Sequence, residues 1–370
     1  MRTSTSIFLL VLTAALFVFC KDKTTNPDNK GELELLYHLQ LPDSQLSVSS
    51  RGSSVMLSGE ESGLRIYSLS DAVNPVINFH YVPPEGIPMA VYTNDYYYFA
   101  AYDMGDNSCE LKLFRSWSND VPGWYSCEVP YPVEAIFATT RTYAYVTHGE
   151  TGFSIIDISD SLNPELATTF DTPGEAHDIY AAVNELWLAD GSAGIQVIDI
   201  ADKYNPQIID NIPTPGEAYS ITIYDGRAYV ADGQSGLVVI DSIYTNPYIK
   251  FNVDTPGMAS DVSIFASMNF PQYKEMSLIP DFGGILARLG LSLFNNPTPV
   301  TDDIYAVIAD GPAGVRVFKI DENDLISDFA DFDTDGYASR VSSFYYQYNF
   351  NNFCIADNND GITLLQLKYQ

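Results

Sequence analysis

From Asp331 to Gly336 the chain reads Asp-Phe-Asp-Thr-Asp-Gly, with Asp331, Asp333 and Asp335 at alternate positions before a glycine. Calcium loops begin this way: oxygens at the first, third and fifth positions converge on a hard cation, and the glycine permits a sharp turn. Such a loop also needs a bidentate glutamate at its twelfth position, and counting from Asp331 that place holds Ser342. Proton transfer has one candidate pair. Of the four histidines, His38, His80, His148 and His177, the last is followed directly by Asp178, and an imidazole near a carboxylate suits general-base work. Adjacent strand residues point to opposite faces, so the two need not cooperate. No G-x-S-x-G, H-E-x-x-H, phosphate-loop or C-x-x-C pattern occurs.

The whole-chain charge narrows the partners. With 48 acidic against 18 basic side chains the formal charge is −30, which excludes nucleic acid, whose phosphates require clustered Lys and Arg. It also opposes charge-driven adhesion to anionic lipid. At the N-terminus Arg2 precedes an apolar run over residues 7–19, which ends at Cys20. The run is short for a membrane span and reads as the apolar region of an export signal, residues 1–19. A cysteine directly after it resembles the lipobox of bacterial lipoproteins, which implies a diacylglyceryl group on Cys20. Phe19 departs from the small residue of that pattern, and Phe17 from its usual leucine. The other reading is an ordinary secretory signal with an incidental cysteine. Residues 20–30 have no apolar period and form a flexible, lipid-anchored tether in this reading. Lys21 after the cysteine implies, by the same resemblance, the outer membrane.

Export permits disulfides. Cys109 and Cys127 flank Trp-Ser-Asn-Asp-Val-Pro-Gly, a hairpin-like connection, so they are expected on neighbouring strands as a disulfide, with buried free thiols as the alternative. Cys354 lies in an apolar run and reads as core.

The elements that must position these groups come from an internal repeat. Gly152, Gly194 and Gly236 open three ungapped copies spaced 42 residues apart, and Gly314 follows 78 residues later, one repeat plus an insertion of 36. Gly63 and Gly361 mark the first and last copies, and the degenerate Cys-Glu-Leu-Lys-Leu-Phe-Arg-Ser brings the total to seven. Each copy divides into four short strands separated by turn residues. The second and third are apolar on both faces, as strands sandwiched between neighbouring sheets must be. The expected fold is therefore all-β: a seven-bladed propeller of four-stranded blades over residues 31–370. The last copy ends after its third strand, and residues 31–42 read as an orphan fourth strand that closes the ring and removes both edges. The segments Gly-Phe-Ser-Ile-Ile-Asp, Gly-Ile-Gln-Val-Ile-Asp and Gly-Leu-Val-Val-Ile-Asp, each followed by Asn-Pro and then Thr-Pro-Gly, resemble the LVIVD-repeat family. That resemblance implies a bacterial or archaeal surface protein.

Strand direction sorts the loops by face. The Thr-Pro-Gly-Glu-Ala turns lie at one end with the Ala-Asp-Gly-x-x-Gly turns, and the Asn-Pro connections lie at the other. Pro173-Gly174 and Pro215-Gly216 fit type II turns with a positive φ at glycine. Asp190, Asp232, Asp310 and Asp357 are expected to cap their own turns. Innermost strand starts vary while the scaffold repeats, which suits a ligand site at the mouth of a central channel. Its candidate residues are Glu175, His177, Asp178, Glu217, Tyr219, Asp261, Tyr337 and Arg340, against the alternative of a solvated polar funnel. The insertion, about residues 267–300 in the sixth blade, lies on the opposite face, either packed on the ring or docking a partner. Aligned on the repeat, Phe332 to Ala338 matches Phe170 to Ala176, so the aspartates that suggested calcium are a propeller turn.

The expected function is a monomeric, non-enzymatic recognition or scaffolding module, lipid-anchored at the outer membrane or cell surface, or otherwise secreted. Its partner is a protein or glycan, the membrane is touched through the anchor only, and no cofactor is required. The alternative is an enzyme acting on an extracellular sugar or lactone at the channel mouth with a divalent cation such as calcium.

Overall fold

A computed structural model describes residues 31–41, 44–105, 107–115, 124–138, 141–182, 184–266, 303–321, 323–334, 336–346, 349–357 and 361–368. Cys20, the export segment, the blade-six insertion and Asp335 lie outside the described residues. The described strands form seven four-stranded antiparallel sheets. The first strands of successive sheets, beginning with Gln45–Arg51 and ending with Ala338–Tyr346, contact one another in a closed cycle. They line the axis. The seventh sheet takes its fourth strand from the N-terminus: Glu32–Leu39 pairs antiparallel with Gly361–Lys368, Glu32 opposite Lys368 and Leu39 opposite Ile362. Ring closure by the N-terminal strand is as the sequence predicts.

The core is not one body but seven. Each junction between adjacent blades holds its own buried apolar cluster. Strand Glu185–Ala189 shows how one short segment feeds two of them. Leu186 and Leu188 pack towards blade three, and Trp187 and Ala189 pack towards blade five. That is why the second and third strands carry apolar side chains on both faces, a pattern that a sheet with one wet face would not tolerate. Outer strands are wet, as Gln207–Ile212 is over five of its six residues.

Blades are also sewn together through the backbone on the channel-mouth face. Gly149, Gly191, Gly233 and Gly311 each form an antiparallel bridge to the alanine that opens the next blade, Ala176, Ala218, Ala259 and Ala338. These glycines sit at φ between 55° and 58°, where a side chain would be strained. The repeated aspartate adds a second tie. Asp190 accepts from Thr172 Oγ1 at 2.7 Å and from Gly174 N at 3.1 Å, and Asp310 does the same with Thr255 at 2.6 Å and Gly257 at 3.0 Å. Two sequence expectations are corrected here. The aspartate holds the turn that enters its blade rather than capping its own turn. Gly174, Gly216 and Gly257 do not have positive φ; they are glycine because a Cβ would stand 2.0–2.3 Å from the carbonyl oxygens of Asp190, Asp232 and Asp310. In blade three His148 takes the aspartate's place, and its Nδ1 donates to Pro132 O at 3.0 Å.

The expected disulfide is also corrected. Strands Cys109–Arg115 and Tyr125–Val129 are neighbours, but the register sets Cys109 opposite Val129 and Cys127 opposite Leu111. The two thiols are thus a diagonal pair two residues out of step. Both are free and buried, and burial raises the Cys109 thiol to about 12 and the Cys127 thiol above its ordinary value.

Candidate functional site

Blades four to seven present their innermost side chains at one register position. Asp178, Ser220, Asp261 and Arg340 stand opposite Ala189, Ala231, Ala309 and Ala356 respectively. Asp178 accepts from Ile179 N at 2.8 Å and from Ile221 N of the next blade at 2.9 Å. Asp261 repeats this with Val262 N at 2.9 Å and Val341 N at 2.8 Å. Between them lies Ser220, whose Oγ is 2.9 Å from Asp178 Oδ2 and 2.7 Å from Asp261 Oδ1.

A hydroxyl has one proton to give, so it cannot donate to two carboxylates at once. One carboxyl must carry a proton and donate to Ser220, or one contact goes unsatisfied. Electrostatics agrees with the first. Burial, then the charge of Asp261, pushes Asp178 up to about 6, while Arg340 opposes the shift. Burial also raises Asp261, again against Arg340. Both residues are partly exposed, which tempers the shift without removing it. All four carboxylate oxygens accept hydrogen bonds from protein groups. Asp178 and Asp261 therefore staple successive inner strands. Serines do the same elsewhere in the ring: Ser47 accepts from Val91 N at 3.2 Å, Ser49 from Thr93 N at 3.0 Å, and Ser342 from Ser50 N at 3.0 Å.

Above this floor sits a more open tier. His177 Nδ1 donates to Glu134 Oε2 at 2.7 Å, and its Nε2 lies 3.7 Å from Glu175 Oε2. The His177 and Tyr219 rings are 4.8 Å apart, and Tyr219 OH donates to Glu217 Oε2 at 2.7 Å. Burial and the Glu217 hydrogen bond raise the Tyr219 phenol to about 12, so it stays a neutral donor. Tyr337 OH lies 3.7 Å from Met258 Sδ. Glycine makes room for this tier: Tyr219 crosses the bare Cα of Gly233 and Tyr337 that of Gly311, where an added Cβ would meet their rings at 3.1 and 3.0 Å.

The expected site thus separates into two layers. Glu175, His177, Glu217, Tyr219 and Tyr337 form the accessible rim; Asp178, Asp261 and Arg340 belong to the floor. His177 pairs with glutamates rather than with its neighbour Asp178. Sequence reasoning missed one member. Glu134 lies in a blade whose turn lacks the Thr-Pro-Gly signature, and only its Glu-Ala dipeptide matches Glu175-Ala176. Ser220 was legible from its place in the repeat, beside Tyr219 at the position that Asp178 and Asp261 share. Among the described residues no group of three or more His, Cys, Asp or Glu side chains is arranged to hold a metal ion. A separate cavity of about 290 Å³ opens between blades five and six, among Val253, Pro256, Arg316, Phe318 and Ile326, and shares no residue with the rim.

Comparison with known proteins agrees with the repeat. The LVIVD repeat model matches residues 141–172, 173–214 and 215–255, and the chain carries these three repeats over less than half its length. The last two matches run from one Pro-Gly turn to the next, so each encloses one blade. The fold is similar to the crystal structure of the WD40 beta propeller domain of Doa1, with a TM-score of 0.62 and 8% identity over 90% of this chain and 96% of that one. At that identity the likeness concerns the fold alone. A search of curated proteins finds none that matches the chain.

Proposed function

We propose that this seven-bladed propeller, built on LVIVD repeats, is a non-enzymatic binding module of the cell envelope, exported and lipid-anchored through Cys20. Its channel-mouth rim receives a cationic group of a partner. The observation that carries this reading is the tier of Glu134, Glu175, His177, Glu217, Tyr219 and Tyr337, in which carboxylates alternate with aromatic rings on a scaffold held fixed by glycine bridges. Carboxylates attract a lysine or arginine side chain, aromatic faces stabilise it by cation–π contact, and a rigid site loses little entropy on binding. A formal charge of −30 steers such a partner towards the ring.

In the sugar- or lactone-processing alternative the general base would be the His177–Glu134 pair of the rim, since Asp178 and Asp261 spend their oxygens on blade-to-blade hydrogen bonds. The test is capture from envelope extract with wild-type chain and with a Glu175→Ala/His177→Ala/Tyr219→Ala variant, with metal analysis of the purified protein alongside. Partners retained by wild type and lost by the variant support the rim. Undiminished capture by the variant overturns it, and stoichiometric bound metal favours the enzyme.

A further inference from the structure

The face opposite the rim carries a periodic feature of its own. Connections between third and fourth strands end there, and five of them hold an apolar side chain out in solvent, three of these, Val73, Leu162 and Tyr204, directly before Asn-Pro. Val73 is 45% exposed, Leu162 52%, Tyr204 65%, Tyr244 73% and Leu325 66%. Hydrophobic residues scattered singly over a surface need no explanation, but these fall one to a connection in five blades, all on one face. They are also held stiffly. Asp71, Asp160, Asp202 and Asp321 each accept from the backbone N–H of the tip residue, Val73, Leu162, Tyr204 and Leu325, at 2.9–3.2 Å. The start of the outer strand continues the apolar surface beside two of them, through Val76 at 59% and Tyr248 at 47%.

The chain's own path points to what covers this face. Glu32 pairs with Lys368, the last residue of the strand that descends from the rim, so the N-terminal strand starts on the tip-bearing face. Thirty residues precede Gly31, among them the apolar run at 7–19 and Cys20. Ten residues, 21–30, extend no further than about 35 Å. A lipid on Cys20 would hold this face within that distance of a bilayer. We infer that the ring of apolar tips rests on a lipid surface, with zwitterionic headgroups preferred. Tyrosine, leucine and valine tips suit the headgroup–acyl boundary, and the aspartates beneath four of the five tips, with the overall negative charge, repel anionic lipid. The contact goes beyond the anchor-only attachment expected from the sequence. It directs the rim away from the membrane towards partners.

The inference rests on the export reading above, and its test is independent of lipidation. Residues 21–370 contain every strand of the closed ring and lack Cys20. This chain is mixed with phosphatidylcholine/phosphatidylethanolamine vesicles, and separately with vesicles containing phosphatidylglycerol, and bound protein is measured by co-sedimentation. Binding to the zwitterionic vesicles is expected, with at least about tenfold loss in a Leu162→Ser/Tyr204→Ser/Tyr244→Ser variant. Weaker binding to the anionic vesicles is expected, as is no change in a Tyr219→Ala rim variant. An environment-sensitive dye on Tyr204→Cys should shift to the blue on vesicles, and one on Glu217→Cys should not. Equal binding by the tip variant, preference for anionic vesicles, or no binding by the unaltered chain overturns the inference. So does conversion of a dimer to a monomer by the tip substitutions, which would assign the face to a second copy. Mass spectrometry of Cys20 tests the anchor separately, so either reading can fail alone.

Discussion

At the scale of single residues the channel floor is decided by proton count. Ser220 faces two carboxylates with one hydrogen, and folding therefore favours a proton on Asp178. Its folded pKa of about 6 lies above the ordinary carboxylate value, so the folded state binds a proton more tightly than the unfolded one. The sign follows: this group's contribution is most favourable near pH 4 and declines as pH rises through about 6. Asp178→Asn removes the titration but cannot keep every contact, because Ser220 Oγ and Ile221 N meet the same oxygen, Oδ2, and Ile179 N holds the other. Relative to this variant, wild type should lose on the order of 1–2 kcal/mol of stability between pH 4 and pH 8. Thermal melts across that range decide it, and a difference that does not change with pH contradicts the shared-proton account. The corrected cysteines give a second residue-scale expectation. Denatured without reductant, the chain should show Cys109 and Cys127 both alkylated in its peptide map; a linked pair would overturn the register argument.

At the scale of elements, the turns are wiring between blades. Asp190→Ala removes the acceptor for Thr172 and Gly174 inside a buried turn and should cost about 1–3 kcal/mol, read as a lower denaturant midpoint at constant slope. No change in midpoint would contradict the tie between Asp190 and the turn that enters its blade. The N-terminal strand is the other structural tie: it pairs along Gly361–Lys368 and buries Leu33. Deleting residues 31–42 should destabilise by on the order of 3–5 kcal/mol through lost apolar burial and an open edge, while deleting 21–30 should leave the melting temperature unchanged. Equal stability of the two truncations would contradict ring closure. These elements were legible before the structure because repeats leave their turns in register, and an orphan strand at one end matches a missing strand at the other. The purpose of the turn residues was not legible. Pro-Gly suggests a local φ requirement, whereas these glycines answer to the carbonyls of aspartates 16 or more residues away.

At the scale of the molecule, the ring separates two faces with different chemistry: a rim of carboxylates and aromatic rings, and a circle of apolar tips beside the entering chain. The sequence marked the rim, since its positions vary where the scaffold repeats. It could not divide rim from floor, because that depends on which side chains reach the next blade. The apolar tips were hidden by composition, as one leucine or tyrosine per turn is unremarkable until its exposure recurs around a circle. The account's central claim concerns the rim. Calorimetric titration of lysine- and arginine-bearing peptides at physiological salt tests it most directly, with wild type, a Glu217→Gln/Tyr219→Ala rim variant and a Glu165→Gln outer-strand control. The account predicts binding by wild type, at least about tenfold weaker binding by the rim variant and no change in the control. Equal affinity in all three would attribute the attraction to net charge alone and contradict a recognition site at the channel mouth.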